Sequence, residues 1–124
     1  MNLENALKTV RIACNIADWF SIEQHVDYDF DLSLGILFAE GRIVFYNGNI
    51  LEFTESITPD RVRYRYHYMN ADGDLIFRYD NVPHYPGIPT FPHHKHCPDL
   101  KASYETTFED VLKGIENILE NERL

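Results

Sequence analysis

The fold of this chain is decided by residues 61–80, which read RVRYRYHYMNADGDLIFRYD. Side chains alternate between the two faces of a β-strand, so Arg63, Arg65 and His67 share one face of the first half. The three tyrosines of the same half project from the other face. Residues 70–73 favour a turn, after which residues 74–80 return as a second strand. The stretch therefore predicts an antiparallel hairpin with one cationic face and one aromatic packing face.

The length of this turn sets the register of the hairpin. A loop of residues 70–73 pairs position 67 with 76, 65 with 78 and 63 with 80. A two-residue turn at Asp72-Gly73 shifts the pairing by two residues and leaves the faces unchanged. In both registers Arg78 and Asp80 join the arginine face, while Phe77 and Tyr79 join the aromatic face.

Three further strands are predicted toward the N-terminus. Aromatic and β-branched residues indicate strands within residues 19–30, 34–46 and 49–57, and Asn47-Gly48 supplies a tight turn between the last two. Because every connection is short, an antiparallel meander is the simplest assembly. Five of the six prolines lie between Pro83 and Pro98, where they exclude a regular helix or a central strand. The predicted sheet therefore has five strands and ends at residue 80.

Two amphipathic helices are predicted at the ends of the chain, since apolar residues recur there at steps of three and four. Asn2 is expected to cap the first helix, and Thr106 or Thr107 the second. The apolar positions are Leu3, Ala6, Leu7, Val10, Cys14 and Ala17 in the first helix, and Phe108, Val111, Leu112, Ile115, Ile118 and Leu119 in the second. The prediction is a single α+β domain over residues 1–124, with a five-stranded antiparallel meander sheet flanked by N- and C-terminal helices.

The composition is that of one soluble globular domain, with 124 residues, 44% hydrophobic and 25% charged. No apolar run reaches the roughly 18 residues of a membrane span, and the N-terminus lacks the features of a secretory signal. Cys14 and Cys97 are too few for a disulfide framework. We therefore expect a cytoplasmic protein without a membrane partner. The formal charge of −9 argues against a general nucleic-acid binder.

The charge is unevenly distributed along the chain. Residues 61–96 hold five basic and three acidic residues, whereas the remaining 88 residues hold six basic and seventeen acidic ones. The same window contains five of the six histidines. A cationic, histidine-rich segment inside an acidic protein is where we expect the functional site.

The side chains of this window predict cleavage of RNA phosphodiester bonds. Forked guanidiniums match phosphate oxygens in charge and geometry, and histidine exchanges protons near neutral pH. Attack by the RNA 2′-hydroxyl needs a base, an acid and cations around the phosphorane, which these residues supply without a metal. The predicted catalytic residues are His67, His93, His94, His96, Arg63, Arg65, Arg78 and Asp80, and the predicted substrate-binding residues are Arg61, Lys95 and His84.

Within this set, the three catalytic arginines are expected to hold the scissile phosphate. His67 and one of the three loop histidines act as base and acid, and Lys95 adds a cation. Asp80 orients either Arg63 or a histidine. Tyr66 lies on the opposite face of its strand, so we expect it to pack in the core rather than stack on a base.

Three other interpretations stay open. Exposed strand faces are commonly polar, and cross-strand Arg–Asp pairs support them without any further function. The cationic face would also serve a non-enzymatic module that binds a phosphate or an acidic partner. Finally, His93, His94, His96 and Cys97 are ligand types for zinc or another divalent transition metal, which would make a metal-dependent nuclease. Adjacent residues rarely all bind one ion, which counts against this last interpretation.

The same residues resemble the TumE-like toxins of bacterial and archaeal toxin–antitoxin pairs. The matching blocks are RYRYHY at 63–68, DG at 72–73, RYDN at 78–81, PH at 83–84 and TFPHHKH at 90–96. The resemblance implies a toxin, a ribonuclease acting on RNA, and a helix-turn-helix antitoxin encoded beside it. Cys97 and Pro98 depart from the family pattern, in which small residues follow the histidine block. The sequence leaves open whether the chain forms a homodimer.

Overall fold

The computed structural model describes residues 8, 11, 13–97 and 99–122, and its centre is one antiparallel sheet of seven strands. The strands lie in the sheet in chain order, as a meander. They are β1 (Ser21–Asp31), β2 (Ile36–Phe45), β3 (Ile50–Ile57), β4 (Val62–Met69), β5 (Leu75–Asp80), β6 (His94–His96) and β7 (Leu100–Ala102). The predicted α+β class and the antiparallel meander are confirmed.

The sheet continues for two strands beyond its predicted end at Asp80, so the prediction of five strands was wrong. β6 pairs with β5 on one side and with β7 on the other, which makes it a central strand. Its residues lie between Pro92 and Pro98, and all three keep the backbone N–H that a central strand requires. The proline argument holds for residues 83–92, which form turns and irregular structure.

The β4–β5 hairpin has the shifted register and not the one set by a loop of residues 70–73. Arg65 pairs with Asp80 and His67 pairs with Arg78, as expected from the two-residue turn. A bulge after Tyr68 changes the pairing near the turn. The shift by two residues preserves the two faces, so the predicted division into an arginine face and an aromatic face is confirmed.

The aromatic face forms the core together with the C-terminal helix, Phe108–Glu122. The tyrosines at 64, 66 and 68 are at most 5% exposed, and Tyr66 packs in the core as predicted. Thr107 caps the helix as expected: its hydroxyl accepts the N–H of Asp110, and the Asp110 carboxylate accepts the N–H of Thr107. The buried helix residues are Phe108, Val111, Leu112, Ile115 and Leu119.

The N-terminal part of the chain packs against the same face. Lys8, Arg11 and Ala13–Ile16 are helical, and a 3₁₀ turn follows at Ala17–Trp19. Ala13 and Ala17 are completely buried in the core. The predicted cap at Asn2 and the predicted apolar positions 3, 6, 7 and 10 lie outside the described residues. Because both helical segments pack on the aromatic face, no helix of the described residues covers the arginine face of the sheet.

Candidate functional site

Two rows of side chains run across the open face of the sheet, because residues paired between strands project side by side. One row consists of His25, Arg42, Glu52, His67, Arg78 and His96, each paired with the next. The adjacent row consists of Asp27, Glu40, Thr54, Arg65, Asp80 and His94. The second row begins with two acids on β1 and β2. Six of the predicted site residues lie together at the other end of the two rows, on β4, β5 and β6: Arg65, His67, Arg78, Asp80, His94 and His96.

A cleft of about 280 Å³ opens where the two rows reach β4, β5 and β6. Residues 82–85, at the start of the proline-rich segment, form its outer wall. The lining residues are Arg65, Arg78, Asp80, Val82, His84, Tyr85, His94 and His96. Five predicted catalytic residues and one predicted substrate-binding residue, His84, therefore line a single concave site, the usual location of a small-ligand or reaction centre.

Asp80 and His94 form the buried part of this cleft. Asp80 Oδ1 lies 2.7 Å from His94 Nε2, and the two side chains are 8% and 3% exposed. His94 Nδ1 lies 3.0 Å from the carbonyl oxygen of Pro92. A carbonyl oxygen only accepts, so Nδ1 donates to it, and Nε2 faces the carboxylate. Both ring nitrogens are engaged, and His94 therefore holds Asp80 in place rather than presenting a nitrogen to the cleft.

His96 is the loop histidine whose ring remains available to a ligand. It is half-buried and pairs with Arg78 across β5 and β6. Its ring lies edge-on to Tyr85 and to His94, at centroid distances of 6.0 and 5.1 Å. Burial lowers the pKa of His96, the neighbouring Arg78 and His94 lower it further, and Asp80 opposes them. The His96 ring therefore lies within the electrostatic influence of both a cation, Arg78, and a carboxylate, Asp80.

Two buried nitrogen atoms on the open face of the sheet, His67 Nδ1 and Arg78 Nε, have no hydrogen-bond partner among the described residues. Their residues are cross-strand partners. Arg78 Nε lies 3.6 Å from the nearer Asp80 oxygen, which is longer than a hydrogen bond. Desolvation lowers the pKa of His67, and the charges of Arg65 and Arg78 lower it further. Buried polar atoms are costly to leave unpaired, so each of these two nitrogens carries an unfavourable desolvation energy in this structure.

The arginines differ in how closely they approach the cleft. Arg65 lines it and also lines a second cavity of about 330 Å³ that contains His67 and Glu52. Arg63 lies further along the same face, opposite Ser56. In the described part of the chain, neither Arg63 nor Arg65 has a carboxylate within 4.0 Å. Arg61 lines a separate cavity beside Pro59. Of the three arginines predicted to hold a phosphate, Arg65 and Arg78 line the cleft and Arg63 does not.

His93 and Lys95 are separated from the cleft. His93 Nδ1 lies 2.8 Å from the Tyr64 hydroxyl and its ring stacks on the Tyr64 ring, on the aromatic side. The Lys95 ammonium lies 5.0 Å from the centroid of the Tyr79 ring. Side chains alternate within β6, so Lys95 and its two histidine neighbours project from opposite faces. The expected grouping of the whole histidine block beside the arginines holds for His94 and His96 only.

A different set of residues lies close enough together to hold a metal ion. Asp80, His94 and His96 each place a ligand atom within 4.8 Å of the others. Two imidazoles and a carboxylate suit a divalent transition metal, and the contact of His94 with Pro92 resembles the outer hydrogen bond of a metal-bound histidine. His93, which the sequence included in the metal set, faces away. The guanidinium of Arg78 lies 3.6 Å from Asp80, and its charge opposes a dication there.

Sequence reasoning missed two residues that shape the site. Tyr85 lines the cleft with its ring edge-on to His94 at 5.0 Å. Asn81 is buried, and its amide oxygen accepts the N–H of Tyr64 while its NH₂ donates to the carbonyl of Val62. The Asn81 side chain thereby takes the place of a β5 backbone partner for β4 after β5 ends. The main chain is then free to leave the sheet and enter the proline-rich residues 83–92. Neither role has a local sequence signal, because the partners are distant in sequence: Tyr85 contacts β6, and Asn81 bonds to β4.

The comparisons with known proteins agree with the resemblance seen in the sequence. A family model described as Toxin TumE matches residues 16–120. No curated protein and no solved structure matches the chain. Among the residues that the structure describes, no helix combines the length and the apolar character needed to cross a membrane. A toxin of this kind implies an antitoxin partner. Because the match covers most of the 124 residues, the chain belongs to the TumE toxin family.

Proposed function

We propose that this toxin is a metal-independent endoribonuclease whose active site is the cleft on β4, β5 and β6 together with His67, which lines the adjoining cavity that shares Arg65 with the cleft. The observation that carries the proposal is the row His67–Arg78–His96, in which a guanidinium lies between two imidazoles on neighbouring strands. Neighbouring strands are separated by about 4.8 Å, so the two rings can flank one phosphate held by Arg78. In-line cleavage of RNA needs a base and an acid on opposite sides of the phosphorus, with cations around the equatorial oxygens.

In the proposed reaction the base removes the proton of the RNA 2′-hydroxyl, and the 2′-oxygen forms a bond to phosphorus. The bond from phosphorus to the 5′-oxygen breaks, and the acid gives that oxygen a proton. The products are a 2′,3′-cyclic phosphate and a 5′-hydroxyl. Arg78 and Arg65, which line the cleft, stabilise the charge on the phosphorane.

We assign the base to His67 and the acid to His96. Burial and two neighbouring arginines lower the pKa of His67, which keeps its ring neutral and able to accept a proton. Burial, Arg78 and His94 lower the pKa of His96 and only the charge of Asp80 opposes them, so the protonated ring gives up its proton readily. Asp80 is in turn held by His94, which we assign as a positioning residue. Arg63 and His84 are proposed to contact neighbouring parts of the RNA.

Cleavage is tested with purified protein and an end-labelled RNA that contains every dinucleotide step, beside an otherwise identical DNA strand. The expected result is cleavage of the RNA to fragments ending in a 2′,3′-cyclic phosphate, with the DNA intact because it lacks the attacking hydroxyl. An RNA that shifts in a gel without being shortened would replace the proposal by a phosphate-binding module. Cleavage of both strands would exclude the 2′-hydroxyl mechanism.

A metal-dependent nuclease is the second candidate, favoured by the Asp80, His94 and His96 cluster. A metal bound there would act as a Lewis acid on the phosphate, and His94 would donate Nε2 to it rather than face Asp80. The two candidates are separated by assaying cleavage in a transition-metal chelator with protein purified without a histidine tag. Unchanged cleavage supports the Arg/His mechanism. Cleavage that is lost and then restored by added Zn²⁺ would support the metal mechanism in its place.

We also propose that the antitoxin is a helix-turn-helix protein and that it is basic. Outside residues 61–96 the chain carries six basic and seventeen acidic residues. Such an acidic surface attracts a basic protein, and it repels RNA from the parts of the molecule outside the cleft. The test is co-expression with the protein encoded beside the toxin gene. We expect that growth is rescued and that the two proteins form a stable complex. If the toxin still inhibited growth when that protein is co-expressed, the proposal would be contradicted.

A further inference from the structure

The β1–β2 hairpin ends in an exposed apolar tip. Five large apolar side chains lie within nine residues there, and each is between 38% and 60% exposed: Phe30, Leu32, Leu34, Ile36 and Phe38. Isolated exposed apolar residues are ordinary on protein surfaces, but a group of them at one hairpin end marks an interaction site more often than a free surface. Ile36 and Phe38 project from the open face of the sheet, and Phe30 projects from the other face. The tip lies at the first edge of the sheet, away from the cleft.

The fold does not depend on the leucines of this tip. Asp31 Oδ1 accepts the N–H groups of Ser33 and Leu34 at 3.0 and 3.3 Å, and it also accepts the Ser33 hydroxyl at 2.6 Å. Gly35 has a φ of 69°, which a residue with a side chain rarely adopts. The turn is therefore built by a carboxylate and a glycine. Leu32 and Leu34 are displayed on a preorganised turn and contribute little burial of their own.

The charge around the tip indicates the chemistry of its partner. β1 and β2 carry five acidic residues, Glu23, Asp27, Asp29, Asp31 and Glu40, against Arg42 as their one Lys or Arg. A second copy of this chain would bring two acidic surfaces together, and a nucleic acid would be repelled as well. A basic protein segment with apolar side chains complements both the carboxylates and the exposed apolar group.

We propose that this tip, residues 30–38 with the acids of β1, is the docking surface for the basic antitoxin. Phe38 lies on the open face of the sheet, where it pairs with Ser56, which in turn pairs with Arg63. A protein bound to the tip therefore lies two strands from the arginine face, close enough to cover it. The location depends on the antitoxin implied by the family and not on the chemistry proposed for the cleft.

The experiment compares the affinity of toxin variants for the purified protein encoded beside the toxin gene. L32S/L34S removes two exposed side chains and leaves the Asp31 contacts intact, and D27K/D29K reverses two exposed charges. Tyr104→Ser is the matched control, because Tyr104 is 84% exposed outside the tip. We expect Kd to rise about tenfold or more for both tip variants and to stay unchanged for the control. The wild-type affinity should fall as salt is raised, and less steeply for D27K/D29K.

Unchanged affinity of L32S/L34S would overturn the proposal. A second result would also overturn it: the wild-type chain forms a dimer by itself, L32S/L34S is a monomer, and the antitoxin still binds that variant. The tip would then bind a second copy of the chain. Growth inhibition by each variant without antitoxin is measured alongside. Binding is measured directly and not through RNA cleavage. If the tip variants lose affinity for the antitoxin, the docking surface is supported even when the chain cleaves no RNA. If the chain cleaves RNA and the tip variants keep their affinity, only the docking surface is refuted.

Discussion

His67 and Arg78 face each other across β4 and β5, and each has a buried nitrogen that no described residue satisfies. Folding leaves this pair with an energetic cost, because a buried polar atom without a partner has lost its hydrogen bonds to water. On the far side of Arg78 lies His96 in the next strand. The sheet therefore holds two proton-exchanging rings at fixed positions on either side of a fixed cation, and the predictions below depend on that arrangement.

Replacement of His96 by alanine is expected to reduce RNA cleavage by roughly 10²- to 10⁴-fold, the usual contribution of a general acid. His93→Ala is the matched control, because His93 contacts Tyr64 on the opposite face of the sheet. Initial rates on labelled RNA measure the effect, and thermal unfolding checks that both variants fold. Equal losses in the two variants would contradict the assignment of His96.

Arg78→Lys is expected to abolish most of the cleavage although it keeps the charge. A lysine has neither the Nε donor nor the planar fork that binds two phosphate oxygens. Arg63→Lys, which lies outside the cleft on the same face, should retain most of the activity. The measurement is kcat/KM for both variants on the same RNA. If lysine at position 78 supported wild-type rates, a bidentate role for Arg78 would be excluded.

The pH profile of kcat/KM should respond in opposite directions to two neutralising substitutions near His67. Activity rises with pH as the base loses its proton, and the pKa of His67 is lowered below its ordinary 6.5. Arg65→Gln removes a cation that lowers this pKa, so the acidic limb should move to higher pH. Glu52→Gln removes an anion that raises it, so the limb should move to lower pH. Shifts in the same direction would show that another group controls the acidic limb.

Asp80→Asn is expected to lower the free energy of unfolding by roughly 3 kcal/mol, because breaking a buried ion pair leaves one partner uncompensated. The Asp80 and His94 side chains are 8% and 3% exposed, so solvent screens the pair little. Asp27→Asn, at an exposed position of the same row, should change stability by less than about 0.5 kcal/mol. Urea unfolding measures both. A loss in Asp80→Asn as small as that in the control would remove the positioning role of this pair.

The sequence determined the parts of this protein that depend on local periodicity. Alternation along residues 62–69 placed the arginines and the tyrosines on opposite faces, and Thr107 with Asp110 marked the start of the C-terminal helix. The short turns determined the meander. Each of these features depends on residues close in sequence, whose steric and hydrogen-bonding preferences act wherever the chain is placed.

Only the tertiary structure decided which histidines share the site with the arginines. β6 exists because His94–His96 finds β5 and β7 on either side, and hydrogen bonds between strands distant in sequence leave no local periodic signal in three residues. That pairing turns His94 and His96 toward the cleft and Lys95 away from it. It also buries Asp80 against His94 and places the ring of His96 in the lining of the cleft.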